Sequence, residues 1–126
     1  MIIVYASKTH NVERFCAKIE RYDSVRVEDY EPSMGKYILI TYTDGFGQVP
    51  KHVVSFLEQY NHNMLGVCAS GRQIWKLQGT YCKSADVIHE QYGVPILLKF
   101  EMAGADRDRI ELLERIESIE QEQDLH

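Results

Sequence analysis

Ser7, Thr9 and Asn11 occupy alternate positions directly after an apolar run, Ile2-Ile-Val-Tyr-Ala6, and directly before an amphipathic pattern, Val12-Glu-Arg-Phe15-Cys16-Ala-Lys-Ile19. A strand that feeds a helix N-terminus through short hydroxyl and amide side chains presents unpaired backbone N–H groups and hydroxyl donors, which suit a phosphate. The same residue types also serve as ordinary helix caps, and the loop alone leaves these two readings level. It lacks the glycine pattern of dinucleotide folds and the Gly-Lys-Ser/Thr of P-loop NTPases, so a mononucleotide is a better candidate than NAD or ATP.

Two more stretches carry chemistry. Thr43-Asp-Gly-Phe-Gly-Gln-Val-Pro50 sets glycines on both sides of an aromatic residue, which permits positive φ and close backbone approach to a flat ligand. Ser70-Gly-Arg-Gln-Ile-Trp75-Lys-Leu-Gln-Gly-Thr-Tyr81 places the only tryptophan of the chain in a loop. A loop aromatic can be a core plug, but aromatic-bearing loops beside a phosphate loop describe a stacking slot for a planar ring. Phosphate at one end and an aromatic slot at the other describe FMN. Cys68-Ala-Ser-Gly-Arg72 is spaced too closely to be a cysteine-phosphatase loop, and Ser7 stands where a receiver domain would carry paired acids.

Composition narrows the partners. The chain has 126 residues, 44% hydrophobic and 26% charged, which is ordinary for one soluble globular domain. A net charge of -5 argues against nucleic acid. No apolar run has the length of a membrane span and the sequence opens on a strand pattern in place of a charged leader, so the expectation is a cytoplasmic protein with no membrane partner. Three cysteines, Cys16, Cys68 and Cys82, form no Cys-x-x-Cys pair, and five scattered histidines show no ligand spacing. Neither a disulfide framework nor a metal site is expected.

Strand and helix patterns alternate along the chain, which predicts a parallel sheet. The strands are expected at Ile2 to Ala6, Val25 to Asp29, Tyr37 to Thr43, Met64 to Ala69 and Pro95 to Phe100. Between them fall helices with inward Val12, Phe15, Cys16 and Ile19, then Val53, Phe56, Leu57 and Tyr60, then Ala85, Ile88 and Tyr92 after a capping Ser84. A last helix carries Ile110, Leu113, Ile116 and Ile119 on an otherwise charged surface. Only about seven residues, Tyr30 to Lys36, join the second and third strands, where a parallel crossover normally takes a dozen or more. A strand order 2-1-3-4-5 would leave that part of the sheet without a covering helix and put ligands at the carboxyl ends of strands one, three and four.

These segments together resemble the NrdI family, flavodoxin-like proteins that activate class Ib ribonucleotide reductase. Ser7-Lys-Thr-His-Asn-Val-Glu-Arg-Phe15 is similar to the family's phosphate loop, Ile40-Thr-Tyr-Thr-Asp-Gly-Phe-Gly-Gln-Val-Pro50 to its second flavin loop, and Gly66-Val-Cys-Ala-Ser-Gly71 with Trp75 to its third. Lys83-Ser-Ala-Asp86, Tyr92-Gly-Val-Pro-Ile96 and Lys99-Phe-Glu-Met-Ala-Gly104 resemble later segments. The resemblance implies a single flavodoxin-like FMN-binding domain over 1–126, an α/β three-layer sandwich around a five-stranded parallel sheet in the order 2-1-3-4-5. It also implies a function, the supply of superoxide or peroxide to the dimanganese site of the radical subunit NrdF, with electrons from a reductase and with no metal in this chain. A general flavodoxin electron carrier and a scaffold that has lost flavin are the alternatives.

Within that frame Ser7, Thr9, His10 and Asn11 are the expected phosphate ligands, with Lys8 and Val12 in the same loop. Tyr42, Phe46 and Trp75 are the stacking candidates, and Ser70, Gly71 and Arg72 are expected on the pyrimidine edge. Thr43, Asp44, Gly45 and Gly47 form the loop along the ring, and Gly45 is assigned a redox-linked peptide switch that turns a carbonyl toward flavin N5 when that atom gains hydrogen. The chain departs from the family pattern at His10, where many members have Gly, and at Arg72, where Asn is expected. It also lacks the usual Gly-Asp after Trp75. Arg72 near the ring favours an anionic reduced flavin and Asp44 opposes it.

Overall fold

The computed structural model describes residues 1–124. Residues 125 and 126, which the single-domain reading of 1–126 includes, lie outside the described residues. Strands β1 (Ile2–Tyr5), β2 (Ser24–Arg26), β3 (Tyr37–Tyr42), β4 (Met64–Gly71) and β5 (Ile96–Glu101) form one sheet in the order β2-β1-β3-β4-β5, and every neighbouring pair is parallel. Helices α1 (Asn11–Ala17), α2 (Lys51–Tyr60), α3 (Lys83–Tyr92) and α4 (Asp106–Asp124) flank it. This is the expected three-layer α/β arrangement with the expected strand order.

A parallel sheet between helices is buried on both faces, so its central strand can be apolar without alternation. Residues 37–41 of β3 are buried in succession, which accounts for the run Tyr37-Ile-Leu-Ile-Thr. On one face Val12, Phe15 and Cys16 of α1 and Leu112 and Ile116 of α4 pack on Ile3, Ile38, Ile40 and Cys68. Phe15 stacks on Phe100 with ring centroids 4.1 Å apart. On the other face Val53, Phe56 and Leu57 of α2 and Ala85 and Ile88 of α3 cover Val4, Leu39, Val67 and Ala69.

Four local expectations change. The second strand ends at Arg26, and Val27–Asp29 winds into a 3₁₀ turn that drives Val27 into the core. The crossover to β3 is not bare, because Tyr30 is buried and packs edge-on to Tyr37, Phe56 and Tyr60 with centroids 5.1 to 5.4 Å away. Its hydroxyl donates to the Gly35 carbonyl at 2.6 Å and accepts from Asn63 Nδ2 at 3.1 Å. An aromatic side chain thus covers what a crossover helix usually covers. Ser84 does not cap α3; Cys82 holds the N-cap position in a left-handed conformation, and Ser84 lies inside the first turn. In α4 the inward pair is Leu112 and Ile116, flanked by Leu113 and Ile119, while Ile110 is 49% exposed. Ile110 precedes Leu112 by an angle of about 200° round the helix, so the two cannot share a face.

If Tyr30 does the work of a crossover helix, truncating it must destabilise the whole sheet. Tyr30→Ala is expected to cost about 3 to 5 kcal/mol and Tyr30→Phe about 1 kcal/mol. Urea unfolding checks this, with both variants lowering the midpoint at an unchanged slope. A loss in Tyr30→Ala no larger than in Tyr30→Phe would mean that the ring carries little of the packing.

Candidate functional site

Backbone register decides where the loops meet. Tyr5 pairs with Ile40, Ile40 with Cys68 and Cys68 with Leu98, so the strands run level and their carboxyl ends emerge side by side. The three loops line one cleft of about 260 Å³. Ser7, Lys8, Thr9, Asn11 and Val12 come from the first, Tyr42, Thr43 and Asp44 from the second, and Ser70, Gly71 and Arg72 from the third. Met102, just past β5, completes the wall.

In the first loop His10 takes a left-handed conformation, φ 66°, which turns the chain into α1. Ser7 Oγ accepts the Glu13 amide at 3.3 Å, and the amides of His10, Asn11 and Val12 are the remaining unmatched donors of the helix end. Asn11 Nδ2 donates to Thr9 Oγ1 at 3.3 Å, which leaves the Thr9 hydroxyl hydrogen free. The His10 ring points elsewhere, donating to Glu13 Oε2 at 2.7 Å, and is not part of the cleft wall. That bond, with a smaller contribution from Arg26, holds the Glu13 carboxyl below its ordinary pKa. Any ligand contact from His10 is therefore through its amide.

The second loop closes on itself. Asp44 and Gln48 exchange both backbone hydrogen bonds at 2.8 Å, and the Gly47 amide donates to the Asp44 carbonyl at 3.2 Å. Such a turn needs left-handed residues, supplied by Gly45 at φ +47° and Gly47 at φ +96°. The Asp44 carboxylate accepts the Gly45 amide at 3.0 Å and lies 3.7 Å from Lys8 Nζ, an exposed pair of small energetic weight. Gly45 lines a smaller pocket of about 110 Å³ with Thr43, Gly71, Arg72, Trp75, Thr80 and Cys82. Thr43 belongs to both spaces, so the pocket and the cleft adjoin.

Phe46 is 73% exposed and meets Trp75 edge to face, with centroids 5.8 Å apart at 86°. Phe46 and Gly47 line a separate apolar groove against α2 and α3, with Leu57, Ile88 and Tyr92. Trp75 is thus brought to the pocket beside the cleft, and Phe46 packs against it from outside. The loop around Trp75 is a 3₁₀ segment, Gln73–Gln78, anchored by the Gln73 amide donating to Glu101 Oε2 at 2.8 Å. Ser70 is nearly fully buried and donates its hydroxyl to the Met102 carbonyl at 2.6 Å, so only its lone pairs remain for a ligand.

Sequence reasoning missed Met102 and Ser84. Met102 sits in a left-handed turn at the fourth carboxyl end, and the Met-Ala-Gly after β5 is the signal that could have pointed to it. Ser84 Oγ lies 2.8 Å from Thr43 Oγ1 and ties α3 to the second loop. Among the described residues no cluster of His, Cys, Asp or Glu is arranged to hold a metal ion. Cys82 touches the smaller pocket, but burial pushes its thiol up to about 11, and burial pushes Cys16 up to about 12. Neither is a nucleophile at neutral pH.

The donor set fits a phosphorylated planar ligand: hydroxyls and free amides at one end, an indole at the other, with Lys8 and Arg72 supplying positive charge. The family model described as NrdI flavodoxin-like matches residues 3–114. A protein NrdI of Bacillus licheniformis is 46% identical over 106 residues, covering 84% of this chain and 79% of that one. A protein NrdI of Macrococcus caseolyticus is 39% identical over 119 residues, covering 94% and 91%. Among solved structures, a flavodoxin of Streptococcus pneumoniae TIGR4 superposes with a TM-score of 0.71 at 22% identity, covering 95% of this chain and 97% of that one. A short-chain flavodoxin associated with a bacterial microcompartment gives 0.68 at 16% identity, covering 96% and 98%. These structural likenesses speak to the fold.

Raised thiol pKa values have a direct consequence. Protonated and buried, all three cysteines should stay unreactive toward a disulfide reagent as pH rises through the ordinary thiol value of 9.0, and all should react once the chain is unfolded. Rapid modification of any thiol in the native protein at neutral pH would contradict this placement.

Proposed function

Because the chain belongs to the NrdI flavodoxin-like family, we propose that it binds FMN in this cleft and supplies superoxide or peroxide to NrdF, the radical subunit of class Ib ribonucleotide reductase. The carrying observation is that the three loops singled out by residue type converge on one cleft lined by hydroxyls and amides, with Trp75 in the smaller pocket that adjoins it. Bound flavin would supply the electrons that convert dioxygen to the oxidant, after receiving them from a reductase.

The residues of the chain then have distinct tasks. Ser7, Thr9 and the amides of His10, Asn11 and Val12 would hold the phosphate, with Lys8 nearby as a charge. Gly71 and Arg72 would face the pyrimidine edge through a backbone and a guanidinium, while Ser70 holds the strand end against Met102. Trp75 and Tyr42 are the stacking surfaces. Gly45 would serve as the peptide switch through its own carbonyl, because the preceding Asp44–Gly45 peptide is held by the Asp44 carboxylate at its N–H and by the Gln48 and Gly47 amides at its carbonyl. Arg72 and Asp44 set opposing fields on the ring.

A partner that reaches the cleft would meet the second and third loops, where Phe46, Ile74 and Leu77 are 73%, 66% and 100% exposed. Contact is needed because superoxide released into bulk water would be diluted and dismutated before reaching a buried metal site. Work with the reductase implies the cytoplasm, and no helix among the described residues is long and apolar enough to cross a membrane. The competing reading is a general electron carrier, which would share the fold and the cofactor and differ in partner.

Ser7→Ala with Thr9→Ala should weaken FMN binding by about tenfold or more while affecting riboflavin less, since hydrogen bonds to a charged group are lost. Equal loss of both ligands would show that the loop does not hold the phosphate. Tyrosyl radical yield in manganese-loaded NrdF, measured with reduced protein and oxygen, tests the role. This chain should exceed an ordinary flavodoxin; equal yields would leave it a generic carrier.

A further inference from the structure

Ser84 is fully buried in the first turn of α3. Its hydroxyl oxygen lies 2.8 Å from Thr43 Oγ1 and 3.3 Å from the Tyr42 carbonyl oxygen. A carbonyl has no proton to give, so the second contact is a hydrogen bond only when Ser84 donates. With its single proton committed there, the first contact is a hydrogen bond only when Thr43 donates to Ser84. No other assignment makes both contacts hydrogen bonds. The Tyr42 carbonyl also accepts Thr41 Oγ1 at 2.9 Å, so hydroxyls fill both of its lone pairs. Polarity therefore runs from Thr43 through Ser84 to Tyr42.

The consequence falls on the cleft. Thr43 is half-buried and lines both the cleft and the smaller pocket beside Gly45 and Trp75. Its proton is held inward, so what it can offer a ligand is lone pairs. A ligand atom with a hydrogen is welcome opposite Thr43, and one with a bare lone pair is repelled.

We propose that Ser84 is a positioning residue that fixes Thr43 as a hydrogen-bond acceptor toward the pocket it shares with Gly45 and Trp75, so that the site prefers a flavin carrying hydrogen on N5, which Thr43 Oγ1 would share with the turned Gly45 carbonyl, over one that does not. The ligand identity rests on the FMN reading; the polarity of the hydroxyl relay does not. Two-electron reduction, with dithionite as the electron source and water as the proton source, puts that hydrogen on N5. Ser84→Ala releases the Thr43 hydroxyl, which can then donate to unprotonated N5 and remove the preference.

Oxidised and dithionite-reduced FMN affinities, linked by an anaerobic potentiometric titration, test this in the full chain. Ser84→Ala should lower the ratio of reduced to oxidised affinity about fivefold, the size of one net hydrogen bond, and so lower the midpoint potential. Ser84→Thr, which keeps the hydroxyl, should restore the ratio. Thr43→Val should lower it as well, and adding Ser84→Ala to Thr43→Val should change nothing further, because Ser84 acts through Thr43. Should Ser84→Ala fail to fold, the Thr43→Val ratio still decides. An unchanged ratio in Ser84→Ala or in Thr43→Val, or an undiminished Ser84→Ala effect in the Thr43→Val background, overturns the relay while FMN binding stands. Absence of FMN binding by the unaltered chain overturns the flavin reading and the relay with it.

Discussion

Parallel hydrogen bonding between β1, β3 and β4 is the constraint on which the site depends. The level register through Tyr5, Ile40, Cys68 and Leu98 makes separate stretches of chain emerge at one height, although Ser7 and Arg72 lie far apart in sequence. Each parallel connection must return to the opposite end of the sheet, so the carboxyl ends are left to loops and helix N-termini. Phosphate donors, the glycine turn and the tryptophan segment meet for that reason. The core serves the same end: buried β3 between two helical layers keeps the register from slipping, since both faces are filled by side chains that a shift would misplace.

Within the site, rigidity is uneven. Asp44 and Gln48 close the second loop with paired backbone bonds, and Ser84 fastens its base to α3, so the loop moves as a unit or at its glycines. The third loop is anchored by Glu101 and Met102 at the carboxyl end of β5. By contrast, the aromatic end is open, with Phe46 and Leu77 turned to solvent. Fastened second and third loops beside an open aromatic end suit the proposed cofactor, which must stay bound while its edge meets oxygen and a partner.

Much of this is legible in the sequence because it depends on local rules. Apolar runs, helical spacing and the types of residue at loop positions identify the strands, the helix faces and the eleven predicted residues that line the main cleft. The rest depends on contacts between distant segments. Tyr30 sits in a linker with no periodicity, and only its packing on Tyr37, Phe56 and Tyr60 makes it part of the core. Ser84 has the type and place of a helix cap, yet a hydroxyl across the fold claims it. His10 has the right address for a phosphate ligand, but Glu13 one turn away takes its ring. Phe46 and Trp75 each read as a stacking surface, whereas their mutual contact lets Trp75 face the pocket and turns Phe46 outward.

The central claim is that one FMN sits with its ring against Trp75. Since Trp75 is the only tryptophan of the chain, its emission reports that placement without a label. Titration of the flavin-free protein with FMN should quench the emission saturably, with the end point at one FMN per chain. FMN that binds without changing the emission of Trp75, or no saturable binding at all, would contradict the account.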